Sequence, residues 1–431
     1  MNVFLRLYHW KLAWLAYLWY GRPSKKLIVV GVTGTKGKSS ACRFIASVLE
    51  AGGYKVGMLS TVEFQIGDKR WPNDKKMTML GRGQIQKMLR GMVRAGCQYA
   101  VVETSSEGIL QYRHIGLNYD VAVFTNLGTE HSERHGGFEN LRRDKGKIFA
   151  GLKKYGNKKI GEKIVEKIII ANIDDANAEY FLQFPADRKI SYGIILPNAD
   201  IRGHIVESTI AKTIFTVDGK KYEANVPAAF NVYNSLAAMA VAKSQGVSDD
   251  KIYSGLSSVR GIPGRMEFIE EGQPYKVVVD YAHEPMSLAE LFSSLRRFVG
   301  NKQKIISVIG SDGGGRDKLK RAEMGRIAGE MTDMVIIADV NCFDEDPMDI
   351  AEMIAVGARN AGKKDGTDML IEIDRKIAIE KALEIAEPGD VVAITAKGTE
   401  PFIAVSGGKK IPWDDRTVAR EAIEYVATKK N

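Results

Sequence analysis

From Leu27 onward the chain alternates short, wholly apolar runs with longer amphipathic ones. "LIVVGV" is apolar throughout, as a strand buried on both faces must be. "KSSACRFIASVLEAGG" has apolar residues at helical spacing and ends on two glycines. The same pattern predicts strands at "KVGMLS", "QYAVVE", "DVAVFT" and "EKIIIAN", and helices at "GQIQKMLRGMVRAGC" and "FENLRRDKGKIFAGL". Strands alternating with helices imply a mostly parallel sheet with right-handed crossovers. Residues 188–227 break the rhythm: "DIRGHIVES" and "TIFTVDGKKYEANV", with a turn at Asp218-Gly219, read as a small antiparallel region. Helices at "NVYNSLAAMAVAKSQG" and "SDDKIYSGLSSV" follow, and "RGIPGR", Arg260 to Arg265, reads as an interdomain joint. Beyond it lie strands at "KVVVDYA", "KIISVIG", "DMVIIAD" and "DVVAIT", and helices near 286–299, 318–331, 347–361, 375–386 and 415–428. The expected fold is α/β, with one domain over 27–260 and a second, Rossmann-like, over 261–431.

Residues 1–26 follow no such alternation. "MNVFLRLYHWKLAWLAYLWYG" sets Tyr8, Trp10, Trp14, Tyr17, Trp19 and Tyr20 among leucines, with no small-residue cleavage site. Arg6, His9 and Lys11 interrupt it, so it falls short of the ~20 apolar residues of a span. Two readings stand: a helix lying at a membrane surface through residues 1–20, or one packed on the protein itself or on another subunit. The net charge of +9 suits an anionic partner or a lysine-rich solvated surface. Nucleic acid has only this charge behind it and is not expected. The lysine run around 153–167 reads as a solvated loop and helix face. Cys42, Cys97 and Cys342 lie far apart without metal spacing, which predicts a reducing, cytoplasmic setting.

The chemistry centres on "GTKGKSS", Gly34 to Ser40, at the predicted strand-to-helix turn. The generic phosphate loop is G-x-x-x-x-G-K-[ST], and its first glycine falls here at Val32. The physics of the loop survives that departure: successive amides and a helix N-terminus face one volume. Gly34, Thr35, Gly37, Lys38, Ser39 and Ser40 are the predicted nucleotide contacts, with Lys38 on the phosphates and the Ser39 hydroxyl on Mg²⁺. Such an ion wants a carboxylate from a neighbouring strand, and "QYAVVE" ends in Glu103. His131 follows the next strand at the same sheet edge. Taken alone, Glu103 reads more readily as a strand-end acid in water.

An ordered set of motifs now stands out: "GVTGTKGKSS", "VVETSSEGI", "FTNLGTEHSERHG", "DKGKIF", "FNVYNSLAA", "GIPGRMEF", "VDYAHEP", "GGGRDKLKRAEMGRIA", "DEDP", "DRKIAIEKA", "AKGTE" and "DDR". In this order, over about 27–428, the chain resembles the Mur ligase family, the ATP-dependent peptide-bond-forming ligases of cell-wall precursor synthesis. The likeness is greatest to the branch that adds the third residue of the stem peptide. The resemblance implies a central P-loop ATPase domain and a C-terminal ligase domain. ATP and Mg²⁺ are the implied cofactors, and a muramyl-peptide carboxylate and an amino acid the implied substrates. It makes Lys38 and Ser39 phosphate and Mg²⁺ contacts, Glu103 and His131 Mg²⁺ ligands, and Lys145 a carbamylated lysine that helps hold a second Mg²⁺. Lys38, Lys145 and His131 are thus the implied catalytic set. Asn231 and Asn234 resemble asparagines near the nucleotide, although paired asparagines at a helix start also read as caps. Arg265 and Asp280 resemble contacts to phosphate and ribose. Thr78, Ser105 and Arg113 fall on the acceptor side, and Arg316, Asn341 and Glu400 on the side of the incoming amino acid.

The departures cluster on the substrate side. The family's Thr-Thr-Pro reads Met77-Thr78-Met79, its Ser-Ser-His reads Ser105-Ser106-Glu107, and its Gly-Lys-Gly-His-Glu reads Ala396-Lys397-Gly398-Thr399-Glu400. The Asp-Asn-Pro-Arg signature of diaminopimelate-adding members falls at Val340-Asn341-Cys342-Phe343. Without that arginine the added amino acid need not carry a distal carboxylate. Only about 26 residues precede the first strand, where the family has a UDP-binding domain, so a lipid-linked or unusual muramyl peptide at the inner face of the membrane is the expected acceptor. A folylpolyglutamate-synthetase-like ligase and a non-catalytic nucleotide-binding scaffold are the competing readings.

Overall fold

The computed structural model describes residues 3–75, 77–128, 135–154, 156–300, 302–315 and 318–430. Two compact units follow each other, Met1–Arg260 and Gly261–Asn431.

In the first unit the described residues form eleven strands in one sheet. In spatial order they are Lys220–Ala224, Thr213–Val217, Ile201–Ser208, Arg188–Gly193, Ile168–Asn172, Val121–Phe124, Ile28–Thr33 (β1), Tyr99–Glu103, Val56–Leu59, Glu63–Ile66 and Lys69–Pro72. The seven strands from Ile201–Ser208 to Val56–Leu59 in this order pair in parallel. β1 sits centrally, with all six of its residues buried and only Thr33 polar, as suits a strand covered on both faces. Helix Val3–Trp19 (α1) comes before β1, helix Lys38–Ala51 (α2) directly after it, and helix Arg82–Arg94 (α3) before the strand Tyr99–Glu103. α2 packs with helices Phe230–Ser244 and Asp249–Ser257. An apolar cluster that includes Leu89, Phe124, Phe149 and Phe181 forms a further core layer, with the Phe124 and Phe181 rings stacked 4.0 Å apart.

Three parts differ from the sequence reading. The antiparallel region is narrower than 188–227, because Arg188–Gly193 pairs in parallel with Ile168–Asn172. Reversal begins only between Ile201–Ser208 and Thr213–Val217, and these strands extend the main sheet. At the other edge, Glu63–Ile66 and Lys69–Pro72 form an unforeseen hairpin around Gly67, whose φ of 58° suits its turn. The lysine run is solvated only in part: Lys153, Lys154, Lys159 and Lys163 are exposed, whereas Lys158 and Lys167 turn inward. It forms a hairpin, Lys158–Ile160 with Lys163–Val165, and the Lys158 and Lys167 amines meet the buried Asp120 carboxylate at 2.6 and 2.8 Å.

The second unit has a six-stranded sheet among its described residues: Glu267–Ile269, Lys276–Val279, Val391–Ile394, Ile305–Ile309, Met334–Ile337 and Met369–Ile371. All neighbours are parallel except the first pair. Helices Arg375–Ile385 and Asp415–Lys430 contribute Ala378, Leu383, Ala422 and Val426 to its core.

Candidate active site

The Gly34–Lys38 turn is fixed by its neighbours. Its backbone is tied to the segment after strand Val121–Phe124: Thr35 N–H donates to the Asn126 carbonyl at 2.9 Å, Lys36 N–H to Asn126 Oδ1 at 2.8 Å, and Thr125 Oγ1 to the Lys36 carbonyl at 2.7 Å. Gly37 has φ 76°, and a Cβ there would lie 2.5 Å from Asn234 Oδ1. Asn234 is itself held by Nδ2 donating to Asn231 Oδ1 at 2.9 Å, and Asn231 Nδ2 donates to the Pro227 carbonyl at 2.7 Å. The two asparagines are therefore a buried brace beneath the turn, and neither occupies the N-cap, which is Ala229. Asn126 was not singled out in the sequence, although it lies inside the quoted "FTNLGTEHSERHG".

Four predicted residues converge around this turn. Lys38 Nζ donates to the Thr35 carbonyl at 2.7 Å, folded back over its own loop. Ser39 Oγ donates to Glu103 Oε2 at 2.9 Å. Glu103 is 1% exposed, which excludes the strand-end acid in water. Lys145 is buried as well, and its Nζ donates to the Gly34 carbonyl at 2.8 Å. A buried amine aimed at a phosphate loop is not an ordinary solvated lysine. His131 lies outside the described residues.

From Glu103 the hydrogen bonds continue to the acceptor side. Thr61 N–H donates to the same Oε2 at 2.7 Å, and Thr61 Oγ1 donates to Thr78 Oγ1 at 2.9 Å. Thr61, which sequence reasoning missed, thus links the phosphate loop to Thr78. Ser105 caps helix Ser106–Leu110 by accepting from Gly108 N–H, so a structural role is on view for it. Arg113 donates to the Met79 carbonyl and, at 2.6 Å, to Gln111 Oε1, while Arg82 donates to the Gln111 carbonyl at 2.7 Å. Both guanidinium groups bond only neutral oxygens, and their pKa values are lowered first by burial; Arg82 adds its repulsion at Arg113. Glu107 opposes the shift at Arg113 without bonding it, and a pair of cations with no hydrogen-bonded carboxylate among the described residues suits an anionic group of a substrate.

The second unit carries two further groups. The Arg265 guanidinium lies 4.5 Å above the Tyr281 ring. Asp280 accepts from the Met266 and Ala282 N–H groups, each at 2.7 Å. Burial pushes the Asp280 carboxyl upward, and Arg265 opposes it. Separately, Asn341 Nδ2 donates to Asp312 Oδ1 at 2.6 Å and to Glu400 Oε2 at 3.0 Å. Lys397, a buried amine inside "AKGTE", donates to Glu400 Oε2 at 3.1 Å and to the Phe402 carbonyl at 2.8 Å. Asn341 and Lys397 thus hold Glu400 in place. Arg316 lies outside the described residues.

Mg²⁺ fits the first group. The Ser39 hydroxyl and the Glu103 carboxylate are hard oxygen donors already within 2.9 Å of each other. Among the described residues no three His, Cys, Asp or Glu side chains converge, so phosphate and water would complete such a shell.

Comparison with known proteins agrees with this layout. The model of the Mur ligase middle domain matches residues 32–242, and that of the Mur ligase glutamate ligase domain matches 264–398. The UDP-N-acetylmuramyl-tripeptide synthetase of Roseiflexus sp. (strain RS-1) is 38% identical over 96% of this chain and 81% of its own length. A solved UDP-N-acetylmuramoyl-L-alanyl-D-glutamate–2,6-diaminopimelate ligase is 28% identical, with TM-score 0.61 over 93% of this chain and 78% of that one. Escherichia coli FolC with ADP has TM-score 0.68 over 98% of this chain and 94% of that one, at 19% identity, which shows a shared fold.

Proposed function

Since the chain belongs to the Mur ligase family, ATP-dependent ligases of peptidoglycan precursor synthesis, we propose that it joins the carboxylate of a muramyl-peptide-like acceptor to the amine of an amino acid. The observation that carries this reading is the unbroken path Ser39–Glu103–Thr61–Thr78, which sets the acceptor side against the phosphate loop.

A carboxylate does not acylate an amine in water because its leaving group is poor. In the proposed reaction a carboxylate oxygen attacks the γ-phosphorus of ATP, the bond to the β–γ bridging oxygen breaks, and ADP leaves. The amine then attacks the carbonyl carbon of the acyl phosphate, loses a proton, and inorganic phosphate departs. The turn at Gly34–Lys38 offers amides to the phosphates, and Lys38 swings from the Thr35 carbonyl to the β/γ oxygens. Ser39 and Glu103 hold Mg²⁺, with His131 and a carbamylated Lys145 as further ligands; when bound, the ion offsets the charge of two anionic reactants. Lys145 falls where the family has a carbamylated lysine, and carbamylation would turn a cation that repels the ion into an anionic oxygen ligand. Arg113 and Thr78 orient the acceptor, with Ser105 beside them. In the second unit Arg265 and Asp280 are assigned to the nucleotide, and Glu400, Asn341 and Arg316 to the amino acid. With Phe343 in place of arginine, the amino acid need not carry a distal carboxylate. The enzyme works in the cytoplasm, with residues 1–20 against the inner face of the membrane.

The test is ATP turnover over a matrix of muramyl peptides and amino acids, with product mass measured. We expect one acceptor to gain the mass of one amino acid per ATP, and Lys38→Ala to abolish turnover. Activity surviving in that variant would show that the site is misassigned. A glutamate chain built on a folate would select the folylpolyglutamate-synthetase-like ligase, which the FolC likeness in fold keeps as the second reading.

A further inference from the structure

The chain's positive charge is concentrated in one place. Residues 1–26 and α3 together hold nine of the 62 basic residues and none of the 53 acidic ones, so the rest of the chain is formally neutral. The two segments also adjoin. α1 packs on α3, and the Gly21 turn at the end of α1 sits 3.9 Å, from its would-be Cβ, from the Arg90 guanidinium. Lys11, Arg22, Lys25, Lys26, Lys87 and Arg94 are exposed, and none of the six forms an ion pair among the described residues.

α1 is amphipathic in an unusual sense. Its inner face buries Ala13 and Tyr17, with the Tyr17 ring against Gly116 and its hydroxyl accepting from Asn118 Nδ2 at 3.0 Å. Its outer face is also apolar: Tyr8, Leu15, Leu18 and Trp19 stand in solvent, Trp19 86% and Leu15 61% exposed. Leucine and tryptophan are among the residues that gain most from leaving water, and at a bilayer surface the indole settles at headgroup depth. No described helix is long and apolar enough to cross a membrane.

We infer that the outer face of α1, with the cations of the Pro23–Lys26 turn and of α3 around it, is a docking surface for an anionic lipid bilayer. α1 lies in the interfacial plane, its leucines and Trp19 among the upper acyl chains and its cations on lipid phosphates. A second copy of this chain is disfavoured as occupant, since the same cationic patch would face itself. The inference gives the membrane placement its surface and its lipid, and it is independent of the ligation step.

Sedimentation of the full chain with vesicles tests it. Phosphatidylcholine vesicles containing phosphatidylglycerol should retain the protein at least about tenfold better than phosphatidylcholine alone, and added salt should weaken this. Leu15→Glu with Trp19→Glu should lower retention about tenfold, with ATP turnover and melting temperature unchanged. Lys25→Gln with Lys26→Gln, which leaves the helix untouched, should lower it several-fold on the anionic vesicles only. Lys38→Ala should bind as wild type does, so a failed ligase assignment would leave this result standing. Equal retention on both vesicle types, or wild-type retention by both double variants, would overturn the inference. So would a dimer in solution that Trp19→Glu dissolves.

Discussion

At the scale of single residues, the site depends on side chains that are short of room more than on side chains that are reactive. Gly37 is the sharpest case. Its φ of 76° strains any other residue, and a Cβ would sit 2.5 Å from Asn234 Oδ1, far inside contact distance. Gly37→Ala must therefore push the turn off the Asn234–Asn231 brace and tilt the amides away from the phosphates. α2 itself begins beyond this point and keeps its buried face. We expect ATP affinity to fall at least about tenfold, with the melting temperature of the nucleotide-free protein lowered by only a few degrees. Calorimetric titration with ATP and Mg²⁺ reads the first and thermal unfolding the second; unaltered affinity would mean that the turn does not hold the phosphates. Asn126 and Thr61 act by the same logic, since each fixes the geometry of its neighbours through hydrogen bonds, Asn126 to Thr35 and Lys36 and Thr61 to Glu103 and Thr78.

At the scale of elements, the fully buried Asp120 side chain shows what the sequence could not convey. Asp120 accepts from Val29 N–H at the start of β1 and from the amines of Lys158 and Lys167, so one carboxylate ties three segments. Burial holds the Lys158 amine at about 8, below its ordinary 10.5, although Asp120 opposes the shift. The folded pKa is the lower, so between about 8 and 10.5 the unfolded chain binds a proton that the folded one does not. Stability from this group therefore rises with pH across that window and is lost as pH falls through 8. In urea unfolding at pH 7.5 and pH 9.5, the gain should be smaller in Lys158→Met than in wild type; equal gains would mean that the amine is not buried as described. Charge runs read as solvated surface because periodicity carries no record of a distant partner. Strands such as β1 and helices such as α2 were legible because burial writes a local pattern. The hairpin Glu63–Ile66 with Lys69–Pro72 was not, because four-residue edge strands are too short for one. The site divides in the same way. Lys38, Ser39 and Glu103 were legible from a strand-to-turn motif, whereas Thr61 and Lys397 act through contacts made only on folding. Within "DRKIAIEKA" and "DDR", Arg375 and Asp415 form a buried two-pronged pair, both N–O distances 2.8 Å, so part of what looks like a chemical signature is structural.

At the scale of the whole molecule, each unit has what independent folding requires. Gly261–Asn431 is of ordinary domain size and has its own sheet core, with Val277, Val308, Ile336 and Ile394 fully buried, together with the Arg375–Asp415 pair. Expressed alone, it should unfold in one cooperative urea transition, and a broad, non-cooperative one would show that its core depends on the rest of the chain. The complementary fragment Met1–Arg260 retains the phosphate turn, Glu103 and Lys145 and lacks Arg265 and Asp280. It should bind ATP and Mg²⁺ measurably but more weakly than the full chain, by about the tenfold that one or two charge-assisted contacts supply. Affinity equal to that of the full chain would remove Arg265 and Asp280 from the nucleotide site. Affinity lost altogether would mean that the turn does not suffice to hold phosphate. The intermediate outcome is expected because the turn's tethers, Asn126 and Thr125, both lie before residue 260, so its amides are held in place within Met1–Arg260 itself.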